Sequence, residues 1–205
     1  MQVTPADPRG TTFTNAARRA QIVECAIETI AELGYGQASF TRIAARAGLS
    51  STRLISYHFA GKDDLTREVL RAVLERFADF VRPRVAAQET ATGALRVFIE
   101  SNADFIRSHR GKLMVALDIA RNARGPDGQR MQDASGVEAD LVAMEELFRR
   151  GQQAGEFREF DPRIMATFVL ALRNDLVAAY ATDPELDLDS HVRELTTAIE
   201  RATGA

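Results

Sequence analysis

From residue 22 onward, apolar side chains recur at intervals of three and four. Ile22, Ala26, Ile30 and Leu33 form one stripe, broadened by Val23 and Ile27, and Gly34 follows where a left-handed residue can end a helix. The spacing predicts a helix over about 15–33. Thr41 is the expected N-cap of a short helix that carries Ile43, Ala44 and Ala47 and stops at Gly48, since glycine adopts positive φ without a steric penalty. Ser50 or Ser51 is expected to cap a second short helix reaching Tyr57. Lys62-Asp63-Asp64 then puts acids in the first turn of a long helix through Leu65, Val69, Val73, Phe77 and Phe80, with Pro83 as its expected stop.

The pattern stays helical to the end. Leu95, Phe98, Ile99, Asn102, Phe105 and Ile106 define a helix that ends between His109 and Gly111. Leu113, Met114, Leu117 and Ala120 define the next, broken by Gly125-Pro126-Asp127-Gly128. Val137, Leu141, Met144, Leu147 and Phe148 mark a third, closed by Gly151 and Gly155. Asp161-Pro162 is an N-cap and N1 pair for a fourth, carrying Ile164, Phe168, Leu172, Leu176 and Tyr180. The last helix follows Ser190, with Val192, Leu195 and Ile199 inward. No segment alternates with period two, so the fold class is all-α with about nine helices.

With 205 residues, 45% of them hydrophobic, the chain can bury a substantial core. Its apolar runs, such as Thr167 to Leu172, are far shorter than the ~20 residues that span a bilayer, so no membrane partner is expected. The N-terminus is polar, holds Pro5 and Pro8, and does not read as a secretory signal. Cys25 is the single cysteine; an internal disulfide is excluded and a reducing, cytoplasmic setting is expected. The net charge of -3 argues against a surface that coats nucleic acid on all sides. The distribution changes that picture. Residues through Lys62 carry seven basic and four acidic side chains, while the remainder is net -6. One end can therefore meet a polyanion while the rest stays soluble.

Two short helices joined at a glycine, with a longer helix on either side, make a tri-helical helix-turn-helix scaffold for reading the major groove. Residues 1–14 are expected to be a flexible arm, 15–62 a helix-turn-helix DNA-binding domain, and 63–205 a helical bundle for ligand binding and dimerisation. Leu49, Leu54, Ile55 and Phe59 would lock the second short helix to the first, leaving Thr52, Arg53, Ser56, Tyr57 and His58 for DNA. Arginine can contact guanine bidentately, serine and tyrosine can hold phosphates, and a thymine methyl can sit against Thr52.

Residues 16 to 70 resemble the tetracycline-repressor (TetR) family of bacterial regulators. The resemblance lies in Ile22-Val23 through Ala31-Glu32-Leu33-Gly34-Tyr35, then Phe40-Thr41-Arg42-Ile43-Ala44-Ala45-Arg46-Ala47-Gly48-Leu49-Ser50, Ile55-Ser56-Tyr57-His58-Phe59 and Lys62-Asp63-Asp64-Leu65, in that order. It implies a sequence-specific transcriptional regulator, a repressor released from double-stranded operator DNA by a small molecule. It also implies that Thr41 and Arg42 lie near phosphates, that Tyr57, His58 and Lys62 clamp the backbone, and that Ser51, Thr52, Arg53 and Ser56 face bases. Either Thr52 or Arg53 could be the more direct base reader. Beyond residue 83 no motif is recognised, so the resemblance names no ligand.

A small, partly apolar ligand is expected among Phe77, Phe80, Phe98, Asn102, Phe105, Met114, Leu117, Arg121, Met144 and Phe148, although such aromatic and methionine residues are more often plain core and such polar ones more often solvated or in helix contacts. A homodimer is expected because one helix-turn-helix contacts little DNA, with Phe168, Leu172, Leu176, Tyr180, Leu195 and Ile199 as an apolar seam or as internal core. Asp183, Glu185, Asp187 and Glu194 fit four positions of a calcium loop, but Leu188 occupies the place of its glycine, and capping acids are the better reading. His58, His109 and His191 match no zinc spacing. No catalytic motif, metal or cofactor is expected. The alternative is an all-helical enzyme or small-molecule carrier whose N-terminal hairpin is purely structural.

Overall fold

A computed structural model of the chain describes residues 8–125, 128, 134–183 and 185–204. The described residues form nine α-helices: α1 Pro8–Leu33, α2 Phe40–Arg46, α3 Arg53–His58, α4 Lys62–Ala86, α5 Ala91–Ser108, α6 Arg110–Asn122, α7 Ala134–Gln153, α8 Pro162–Thr182 and α9 Leu188–Thr203. A single 3-10 turn, Tyr35–Gln37, follows α1. Among the described residues there is no strand; an isolated bridge joins Phe157 and Gly204. The fold is all-α.

Several helix ends differ from the pattern-based expectation. α1 begins at Pro8 rather than near 15, so part of the expected arm is helical; proline suits a first helical position because its absent N–H would be unbonded there anyway. The rest of that arm, residues 1–7, lies outside the described residues. α2 is capped by Ser39, not Thr41: Ser39 is extended, and its hydroxyl accepts the Arg42 N–H at 3.3 Å. Thr52 holds the N-cap position of α3 without a side-chain bond, and the Ser51 hydroxyl takes the Arg53 N–H at 3.0 Å. Pro83 lies within α4 rather than ending it; the proline removes one N–H, and the Ala87 N–H still reaches the Pro83 carbonyl at 3.1 Å.

The described residues group into two compact units, one within Met1–Val73 and Met114–Gln132, the other within Leu74–Leu113 and Asp133–Ala205. In the first, Ile22, Ala26, Ile27 and Ile30 of α1, Ile43 and Ala44 of α2, Ile55 of α3, Phe59, and Leu65 and Val69 of α4 are all buried. The chain reverses at Gly34 (φ 81°) and Gly48 (φ 64°), left-handed positions that suit glycine.

The second unit is built on α5, α7, α8 and α9. Leu95 and Ile99 of α5, Met144, Leu147 and Phe148 of α7, Ala166 and Val169 of α8, and Ile199 of α9 share one core with Phe157. Gly151 lies inside α7 instead of closing it, because the Phe157 ring packs onto its backbone: a Cβ there would sit 2.1 Å from that ring. α8 starts at an Asp161 cap that accepts the Arg163 and Ile164 N–H groups at 2.9 and 3.0 Å. By length and composition α8 could cross a membrane, with a mean hydropathy of 1.4. Its apolar residues divide between the core (Ala166, Val169, Leu170, Leu176) and an outer stripe of Ile164, Phe168 and Leu172.

Candidate nucleic-acid interface

α3 has only six residues, too few to be stable alone, so its position depends on its surroundings. Ile55, fully buried, and Phe59, 2% exposed, anchor it. Leu54, expected to share that task, is 41% exposed, because it lies one residue away from the inward face that Ile55 occupies. The turn before α3 is set by the Leu49 N–H on the Ala44 carbonyl at 2.9 Å, and Gln21 of α1 donates to the Ala47 carbonyl at 3.1 Å.

The far end of α3 is fixed by Arg19 of α1. Its Nη1 donates to the His58 carbonyl at 2.5 Å, its Nη2 meets Glu68 of α4 at 3.4 Å, and its guanidinium stacks 4.2 Å from the centre of the Phe59 ring. One side chain thus joins α1, the end of α3 and α4. Hydrogen bonds from Arg71, and then from Arg19, hold the Glu68 carboxyl below the usual carboxylate range, so it stays charged within this cluster.

On the opposite side, Arg53, Ser56 and Tyr57 are exposed, Tyr57 by 73%. The Arg53 guanidinium has no partner among the described residues. Tyr57 makes an edge contact with His58 at 5.1 Å, and Ser51 is exposed, while Thr52 and His58 are half-buried. Thr41 is exposed at the start of α2; Arg42 is exposed but steadied by Gln37, at 3.1 Å from its carbonyl and 3.0 Å from its side-chain oxygen. Arg46, beside it, is neutralised by Glu28 and Glu32.

Lys62 stands apart from the rest of the expected set. Its ammonium donates to the Tyr35 carbonyl at 3.1 Å and lies 4.3 Å from the Tyr35 ring centre. The N–H of the same Tyr35 is taken by the Asp118 carboxylate at 2.6 Å, which Asn122 also contacts at 2.6 Å. The tertiary partners of Arg19, Gln21 and Asp118 are not legible in the sequence. Those partners lie 39, 26 and 83 residues away, beyond any local pattern. The available signal is that Arg19 precedes Ile22 by three residues, which puts a cation on the buried face of α1.

The residues expected to bind a ligand do not form one group. Phe77, Phe80 and Phe105 make an aromatic cluster, Phe105 at 5.2 Å from Phe77 and 5.6 Å from Phe80, with His109 stacked on Phe105 at 4.4 Å. Phe98 and Asn102 line a small cavity with Val169, Arg173 and Leu176, and the Arg173 guanidinium lies 5.7 Å from the Phe77 ring centre. Met144 and Phe148 belong to the core that α7 shares with α5 and α8. Met114, Leu117 and Arg121 fall in the other compact unit. Of the expected seam, Phe168 and Leu172 are 57% and 45% exposed, whereas Leu176 and Ile199 are buried and Tyr180 and Leu195 are half-buried against the cores. The four acids of the calcium-like segment include two caps, Asp183 for the Glu185 N–H and Asp187 for the Ser190 N–H.

Residues 22–69 match the bacterial regulatory proteins of the tetR family. The HTH-type transcriptional regulator BetI of Cronobacter sakazakii is 30% identical over 152 residues, covering 73% of this chain and 70% of that protein. BetI 1 of Chromohalobacter salexigens is 35% identical over 119 residues, 56% of this chain, and the match spans only 57% of that relative's length. Among solved structures, a transcriptional regulator from Saccharomonospora viridis in complex with choline superposes with a TM-score of 0.80 at 24% identity, over 93% of this chain and 99% of that one. That likeness establishes the shared fold.

Proposed function

This chain belongs to the tetR family of bacterial regulatory proteins, and from that premise we propose that it is a cytoplasmic, sequence-specific repressor released from operator DNA by a small molecule. The observation that carries the reading is the two-sidedness of α3. Ile55 is wholly buried on one side, and Arg53, Ser56 and Tyr57 are exposed on the other. Arg53 reads a base, with Ser51, Thr52 and Ser56 beside it, and Thr41, Arg42, Tyr57, His58 and Lys62 hold phosphates. A homodimer fits the exposed stripe of Ile164, Phe168 and Leu172 on α8, which would be covered by its counterpart in a second copy. The named relatives are regulators, and the enzyme or carrier alternative gains no support from the geometry of α3.

The test begins with selection of bound sequences from a randomised duplex pool by the purified chain. A two-fold symmetric consensus is expected. Arg53→Ala should then weaken operator binding by about 1–3 kcal/mol and relax the preference at one base pair per half-site. Enrichment of no sequence, or equal loss on operator and random DNA, overturns the assignment. Release by ligand is tested on the same complex, beginning with choline because the Saccharomonospora viridis neighbour contains it; a coupling of ~1–3 kcal/mol would weaken DNA binding roughly 5 to 150-fold.

A further inference from the structure

Asn102 of α5 is 2% exposed and lines a cavity of about 10 Å³ walled by Phe98, Val169, Leu176, Leu195 and Ile199. Its Nδ2 donates to the Phe98 carbonyl at 2.6 Å, while no described residue donates to its Oδ1. Reversing the amide would set two acceptors against each other at Phe98, so the orientation is determined: Asn102 lines the cavity and its oxygen is the unmet atom. A buried acceptor in apolar surroundings calls for a donor.

The second polar wall is Arg173 of α8. Its Nη1 is paired with Asp140 at 2.8 Å, and its Nε and Nη2 donate to Asn174 at 3.2 and 3.0 Å. The Asp140 carboxylate already neutralises the guanidinium, so an anion gains little there, yet a guanidinium has five N–H groups and not all are engaged. The complement to an unmet acceptor beside such a donor is an uncharged group that both donates and accepts.

We propose that this cavity takes the hydroxyl end of a small, uncharged alcohol, the hydroxyl donating to Asn102 Oδ1 and accepting from Arg173. The cavity has room for one water-sized group, so the hydroxyl fits as it stands. The apolar body runs outward past Phe98 and Leu195, which are half-buried and must shift aside to admit it. This rests on the ligand-responsive reading above and names the chemistry of that ligand.

The test is calorimetric titration of the full chain with 1-hexanol and with 1-methoxyhexane, which keeps the oxygen and lacks the proton. Hexanol should bind on the order of tenfold more tightly, the effect of leaving one buried acceptor unmet. Asn102→Leu should abolish that preference and leave the chain at least as resistant to urea, because the substitution removes the unmet atom. Equal affinity for alcohol and ether, no binding of hexanol, or a preference that survives Asn102→Leu overturns the proposal. So does a crystal grown in saturating hexanol that shows a lone water on Asn102. Hexanol binding as expected with operator affinity unchanged would uphold the site and remove the ligand-responsive reading. Release of operator by another compound while hexanol fails to bind would do the reverse.

Discussion

α3 and α8 reach the same conformation by different means. α8 has 21 residues, an Asp161 side chain on two of its first N–H groups, proline at its start and four buried residues along it. Its own sequence supplies nearly everything a helix needs. α3 has six residues, no side-chain bond at its N-cap and only Ile55 buried. Its last carbonyl is bonded by Arg19, which belongs to another helix. A helix that leaves most of its surface open has little apolar face to hold it, here Ile55 with Phe59 at its end. The further contacts that fix it come from another helix and include the polar bond from Arg19.

The largest expected effect is on the self-sufficient side. Phe148 of α7 is fully buried against the core that contains Ala166 and Val169 of α8, with Phe160 and Phe157 ring centres at 5.3 and 5.7 Å. Phe148→Ala should cost about 3–5 kcal/mol in urea denaturation, from reduced transfer energy and a residual cavity. A cost below about 1 kcal/mol would mean that α8 does not depend on this core. Next comes the outer stripe of the same helix. Phe168→Glu puts a charge on a surface that is already 57% exposed, so the folded protomer should tolerate it. In sedimentation the wild type should be dimeric at micromolar concentration and the variant monomeric, its self-association weakened by at least about 2 kcal/mol. A variant that remains a dimer refutes the seam.

On the dependent side the expected effects are smaller in stability and appear in DNA binding. Arg19→Met keeps the aliphatic packing and removes the bond to the His58 carbonyl and the pairing with Glu68. Thermal stability should fall by about 1 kcal/mol, while operator affinity falls roughly tenfold, because the recognition helix loses its fixed end. Random-sequence DNA should be bound almost as well as before. Equal losses on operator and random DNA would show that Arg19 acts by holding a phosphate rather than as the positioning residue of α3.

The contrast between α3 and α8 also explains what could be read from the chain. The Asp161-Pro162 start, the glycine stops at 34 and 48 and the apolar stripe of α1 are local signals and appear in the structure as expected. So does the all-helical class. The structure departs from the pattern at the cap of α2, where Ser39 stands two residues before the expected Thr41, and where a residue has a non-local reason to be there. Gly151 is such a case: it looks like a helix stop, but it lies under the Phe157 ring within α7. The outward face of α3 was legible because Ile55 and Phe59 fix its phase. The pinning by Arg19 and Asp118 was not, since no sequence window contains both partners.

Lys62 gives the smallest expected effect and the sharpest division between the two kinds of support. An ammonium has three N–H donors, and the Tyr35 carbonyl at 3.1 Å uses one of them. The ring interaction at 4.3 Å is worth ~0.5–1 kcal/mol at an exposed site, so Lys62→Met should lower stability by less than about 1 kcal/mol. If the remaining donors meet a phosphate in the complex, the variant releases fewer counterions on binding. The slope of log affinity against log salt concentration should then become shallower by roughly 0.9 for each phosphate that is no longer neutralised, with operator and random DNA affected alike. A slope that does not change while stability falls would place the whole charge of Lys62 on Tyr35. Lys62 would then join Arg19 and Asp118 among the groups that hold the reading head in place without touching DNA.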